Sequence, residues 1–148
     1  SNESGRIDLQ YRRSMENPTD NQETDQLAAS VRSHADDVMD ATIALRRTLH
    51  QWPELGNNLP ITRETVLTAL EGLPLNVTLH ESTSGIAATL EGSSPGPTML
   101  LRGDMDALEM PEDTGLDFAS RIDGAMHACG HDTHTAMLVG AAKLLSER

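Results

Sequence analysis

The spacing of apolar residues changes twice along this chain, and that alone restricts the fold. From Leu27 to Gln51, LAASVRSHADDVMDATIALRRTLHQ sets Leu27, Val31, Val38, Leu45 and Leu49 at mostly helical intervals, with Pro53 closing the run. The pattern predicts one amphipathic helix, broken near Ser33. A second helix is expected from Thr62, whose hydroxyl can cap it, through TRETVLTALEGL to the stop signals Gly72 and Pro74. The period then drops to two. NVTLHE (76–81) and GIAATLEG (85–92) alternate or are β-branched, and STSG between them reads as a hairpin turn. After SSPGP comes TMLLRG (98–103), a short apolar run that reads as a buried strand. Helical spacing returns in THTAMLVGAAKLL (133–145), with Ala136, Met137, Gly140, Ala141 and Leu144 on one face. Helices before, between and after strands predict an α/β chain with helices packed on a mixed β-sheet.

A chain of 148 residues can bury a core without disulfides or metal staples. Residues 1–26 are rich in Asn, Asp, Glu, Ser and Thr with almost no periodic apolar positions. Such a stretch does not repay its ordering entropy, so it is expected to be a flexible polar leader, with the folded portion over 27–148. It carries no apolar run of the secretory kind, and no segment is apolar enough to span a membrane. The single cysteine allows no intramolecular disulfide and suits a reducing compartment, which makes the cytoplasm the expected location.

Net charge is −12, and no basic stripe is visible, which argues against nucleic acid as a partner. The acid is concentrated. From Gly103 to Asp132 there are eight acidic residues against the single base Arg121. Glu109, Glu112, Asp113, Asp117 and Asp123 read as a solvated loop. Asp104, Asp106 and Asp132 flank the densest cluster of metal-seeking side chains in the chain, where a divalent cation would offset part of their repulsion.

That cluster is HACGHDTH (127–134), with three histidines, the cysteine and an aspartate in eight positions. Asp104 and Asp106 follow the end of an expected strand, and Cys129, Gly130 and His131 precede an expected helix, the two places where open α/β sheets collect ligands. A helix N-terminus and a nearby cation both favour the thiolate, the liganding form of cysteine. Gly130 lets Cys129 and His131 turn toward one point, and His134 lies three positions further on. Two separated ligand pairs, the mark of a structural zinc finger, are missing, so an open catalytic style of site fits better. Taken singly the residues are less telling: His34 and His80 read as ordinary polar residues, and a lone Cys129 would read as a small hydrophobe.

HACGHDTH preceded by DGAM, together with LLRGDMDALEMPEDTG and LRRTLHQWPELG, resembles the amidohydrolase branch of the M20 metallopeptidases. That branch includes hippurate hydrolases, N-acyl-amino-acid amidohydrolases and plant hydrolases of auxin conjugates. The resemblance covers about residues 42–148, with the three motifs in the family's order. It implies the N-terminal part of a zinc-peptidase-like catalytic domain and a metal-dependent enzyme that cleaves the amide bond of N-acyl amino acids or amino-acid conjugates. It also implies a pair of divalent ions, manganese or zinc, with Cys129 and His131 as ligands. Asp106 would orient a ligand, and Asp104 stands where classical members of the wider family carry a histidine ligand. Asp132 and His134 would shape the pocket or support the ligands, while His50 is a motif position without a derivable role. One departure is Glu109, where family members commonly carry proline after DAL.

In the family a downstream glutamate pair supplies the general base and a further ligand, and a smaller inserted domain helps close the site and form homodimers. The chain is therefore expected to be an incomplete enzyme, inactive alone, with its general base beyond Arg148. Two other readings stay open: a hydrolase or redox protein that uses Cys129 as nucleophile, and a non-catalytic remnant acting through subunit contacts.

Overall fold

The computed structural model describes residues 18–147. Three helices and one hairpin carry the order α1 (Pro18–Gln51), α2 (Pro60–Leu70), β1 (Leu75–Leu79), β2 (Ile86–Leu90) and α3 (His131–Ser146). The chain divides into two compact units, residues 1–37 and 38–148. In the first unit the described residues are helical, and Leu27 and Val31 are exposed. The second unit contains every residue considered for the site.

Helix α1 starts earlier than its apolar pattern and is unbroken. Pro18 stands at its first position, where the fixed φ suits a helix and the missing N–H costs nothing. It thereby takes up part of the stretch expected to be a leader, whose residues 1–17 lie outside the described residues. Near Ser33, where a break was expected, the Ser33 hydroxyl donates to the Ser30 carbonyl at 2.9 Å, so its local hydrogen bonding is absorbed within the helix.

Helix α2 is capped from a distance rather than by Thr62. The N–H groups of Ile61 and Thr62 donate to the two carboxylate oxygens of Glu54, at 3.2 and 2.7 Å. Two of the amides left free at the helix start are satisfied this way, and the negative charge suits the positive end of the dipole. Thr62 itself is buried. Thr62, Val66 and Leu70, spaced by four, are the buried stripe of α2. Leu49 of α1, Val66 and Leu70 of α2 and Val139 of α3 form the core, with Leu45, Leu75, Ile86 and Met105 packed around them.

The hairpin is antiparallel with Leu75 opposite Leu90 and Leu79 opposite Ile86, as the alternating pattern predicts. The α/β class holds, and the described sheet is this two-stranded antiparallel one. TMLLRG, expected as a buried strand, has no strand partner among the described residues, and Met99 and Leu100 are 82% and 87% exposed. A strand exists by its ladder of hydrogen bonds, and nothing described here supplies one. Helix α3 turns Thr135, Ala136, Val139 and Gly140 inward, while Met137, expected on the face with Ala136, is exposed.

Candidate metal centre

Three connections bring the motifs together. The carbonyl of Glu54, the residue that caps α2, accepts from the N–H of Ala107 at 2.8 Å, and Leu55 and Ala107 form a parallel bridge. WPELG thus holds the DAL segment. Leu108 and Met126 exchange hydrogen bonds in an antiparallel bridge, which ties the same segment to the residues just before the histidine cluster. Finally, the hydroxyl of Thr135 in α3 donates to the carbonyl of Asp104 at 2.7 Å. Gly103 permits this approach: a Cβ there would stand 3.2 Å from the backbone oxygen of His134 and 3.3 Å from Leu138.

His131 opens α3 beside both aspartates. Its Nδ1 lies 2.8 Å from the Asp106 carbonyl and 3.1 Å from Asp106 Oδ1. Neither oxygen can donate, so Nδ1 is the donor in this contact, and in the neutral imidazole the lone pair then lies on Nε2. That Nε2 stands 3.7 Å from Asp104 Oδ2. The His134 ring lies 5.6 Å from the His131 ring, tilted by 32°. Cys129 is exposed, one residue before Gly130. Gly130 is the N-cap of α3 in the left-handed region, φ +80°, where glycine is at ease, and it offers no side-chain cap. Among the described residues no three His, Cys, Asp or Glu side chains converge closely enough to hold an ion unaided.

Asp132 points the other way, into the protein, and is fully buried. Its Oδ2 lies 2.7 Å from His50 Nδ1 and 2.7 Å from Arg46 Nε, both on α1. The opposite edge of the same imidazole, Nε2, lies 3.2 Å from Glu112 Oε1. Carboxylates only accept, so both contacts are satisfied when both ring nitrogens of His50 carry protons. Arg46 Nη2 also comes within 3.3 Å of His50 Nδ1, but the two are donors and converge on Asp132 rather than bond each other. Phe118 closes the site edge-on against His50, at 5.6 Å, with the guanidinium groups of Arg46 and Arg47 about its ring.

Glu112 therefore departs from the solvated loop expected for it: its side chain is 2% exposed. Desolvation would raise its carboxyl, but hydrogen bonds from the Thr114 hydroxyl, the Ser120 N–H and His50, with the charge of His50, outweigh it and hold the group below the ordinary glutamate range. His127 is also buried, and neither ring nitrogen has a hydrogen-bond partner among the described residues. Burial pushes its imidazole below the usual histidine range, against the opposing field of Asp132. The pairing of Glu112 with His50 was invisible in sequence. The only signal was a motif histidine without a role and one acid too many.

The α/β fold gathers a histidine and two aspartates at the glycine-led start of a helix, with the cysteine just before that glycine. Residues 100–148 match the peptidase family M20/M25/M40, and the chain belongs to the M20 peptidase family. It is 40% identical over 122 residues to thermostable carboxypeptidase 1 of Saccharolobus solfataricus, covering 80% of this chain and 30% of that protein. It is 45% identical over 105 residues to N-acetyl-L-cysteine deacetylase of Bacillus subtilis, covering 71% of this chain and 25% of that protein. The crystal structure of the Bacillus subtilis YXEP protein, described as a dinuclear metal binding peptidase from the M20 family, superposes with a TM-score of 0.70 at 37% identity, covering 76% of this chain and 32% of that one. The chain thus spans about a third or less of the length of these relatives.

Proposed function

We propose that this chain is the ligand-bearing N-terminal part of a metal-dependent amidohydrolase that cleaves the amide bond of N-acyl amino acids or amino-acid conjugates. The observation that carries the reading is the contact of His131 Nδ1 with Asp106. With Nδ1 donating to Asp106, the Nε2 lone pair is the one open to a metal ion, and a carboxylate behind a liganding histidine is the usual support for such a bond. Cys129 and His131 would hold the ion, Asp106 would orient His131, and Asp104 would lie beside the centre, its backbone fixed by Thr135. His134 would line the pocket. A thiolate favours zinc and the carboxylates suit manganese, so the donor types fit a divalent ion of either kind.

Bound there, a pair of such ions supplies Lewis acidity for the amide carbonyl and lowers the pKa of the attacking water. The protein's own part is to keep the Nδ1 proton of His131 on Asp106. It also keeps water away from the buried face of Asp132 and presents the cysteine at the helix start. The glutamate that moves the proton to the leaving amine is assigned to sequence outside these 148 residues, so the chain alone is expected to show no turnover. Homodimerisation is assigned to the longer protein. Among the described residues no helix is long and apolar enough to cross a membrane, and a cytoplasmic location remains the proposed one.

The cysteine-nucleophile alternative needs an imidazole base, and the geometry offers none ready. Among the described residues the Cys129 thiol makes no hydrogen bond to an imidazole, and His127 has both nitrogens buried. Alkylation separates the readings. Zn2+ is expected to protect Cys129 from iodoacetamide at neutral pH, and His131→Ala to remove that protection. Rapid alkylation indifferent to Zn2+ in the unsubstituted chain would overturn the ligand assignment.

A further inference from the structure

The helix that carries His131 has no cap of its own. Gly130 provides no side chain and sits in the left-handed region, and only its N–H, donating to the His127 carbonyl at 3.3 Å, ties it to the preceding turn. Three ties from outside fix that turn: His131 to Asp106, Thr135 to Asp104, and Asp132 to His50, the last joined by an ion pair with Arg46. The first two join α3 to the segment 104–106, which among the described residues forms no regular element. Only the third joins it to a long helix. Asp132 directly follows His131, so rotation of the turn that withdrew Asp132 from His50 would also swing His131 away from Asp106.

His50 is in turn held from behind. Glu112 takes the Nε2 proton with Oε1, and is itself fixed by the Thr114 hydroxyl on that same oxygen and by the Ser120 N–H on Oε2 at 2.7 Å. An imidazole between two carboxylates donates charge-assisted bonds on both edges. With Glu112 replaced by glutamine, a neutral amide faces Nε2, and the charge-assisted bond that presses the ring against Asp132 is weakened. We infer that Glu112 is a positioning residue for His131: acting through His50 and Asp132, it fixes the first turn of α3 so that the His131 imidazole keeps Nδ1 on Asp106 and presents Nε2. This deepens the proposed metal-ligand reading of His131 and rests on it for its purpose, though not for its measurement.

The test is the imidazole pattern of the metal-free 148-residue chain, read by long-range proton–nitrogen correlation on 15N-labelled protein. The unsubstituted chain is expected to show His131 as the Nδ1–H tautomer and both His50 ring nitrogens hydrogen-bonded. In Glu112→Gln, the His50 ring-nitrogen signals are expected to move and His131 to become a mixture of tautomers, while His34 and His80, both exposed, stay unchanged as internal controls. Affinity for Zn2+, followed by protection of Cys129 from alkylation, should fall roughly tenfold, the order seen when outer partners of liganding histidines are lost. A general loosening would move all the histidines together. Should Glu112→Gln fail to fold, Thr114→Val removes the bond that aims Oε1, together with a long one from the Leu116 N–H at 3.5 Å, and the same change confined to His50 and His131 is expected in smaller degree. An unaltered His131 pattern in whichever variant folds would overturn the inference. If Zn2+ gives no protection even to the unsubstituted chain, the metal reading fails while the imidazole measurement still decides this one.

Discussion

Removing the carboxylate of Asp132 would leave Arg46 and His50 facing a buried space with no acceptor between them. Breaking one partner out of a buried ionic group is among the costliest single changes, so Asp132→Ala is expected to destabilise the chain by about 3 kcal/mol, read as a lower urea midpoint. Asp132→Asn keeps an acceptor and should lose less. Glu112 supplies the pH dependence. Its folded pKa lies below the ordinary 4.5, so in acid the unfolded chain binds the proton first. Its stabilising contribution is then fully present above that value and is lost as pH falls through the lower folded value. Urea midpoints measured from pH 6 downward should fall more steeply in the unsubstituted chain than in Glu112→Gln. At this scale the sequence was legible only where partners are neighbours. Cys129, His131 and His134 declare themselves within a few positions, whereas His50 meets Glu112 across 62 residues and Asp132 across 82. An acid among many acids gives no hint of such a partner.

Elements were easier to foresee than their ends. Apolar spacing located all three helices, because burying one face of a helix leaves a periodic trace, and β-branched residues around a turn located the hairpin, though not its register. The start of α2 was misplaced, since its cap is Glu54, six residues before Pro60, and local rules look for a cap next door. TMLLRG shows the reverse failure: an apolar run has strand character, but a strand also needs neighbours. Gly103 sits at the end of that run, where it lets residues 104–106 lie against α3. Gly103→Ala would press a methyl group onto the backbone of His134, which cannot give way as a side chain could. Overpacking of this kind costs about 1–3 kcal/mol. The variant should melt lower and also bind Zn2+ more weakly, because the Thr135 bond to Asp104 is stretched.

For the molecule as a whole, exposed Met99 and Leu100, whose segment pairs with no strand among the described residues, form a surface prone to association. An apolar extended segment without a partner is a template for pairing with another chain, even though a net charge of −12 opposes contact between copies. The chain is expected to bind hydrophobic dye and to elute earlier in size-exclusion runs as salt is raised. Leu100→Lys should reduce both effects, and a dye-silent monomer at all salt concentrations would contradict the expectation.

The tie between Asp132 and the first long helix also bears on engineering. A designer wishing to move the cysteine–histidine loop into another scaffold would naturally cut out residues 104–134. Such a graft would carry a buried anion without its counter-charges, and the loop would not hold its shape. The smallest transplantable block begins at Arg46 and runs to the end of α3.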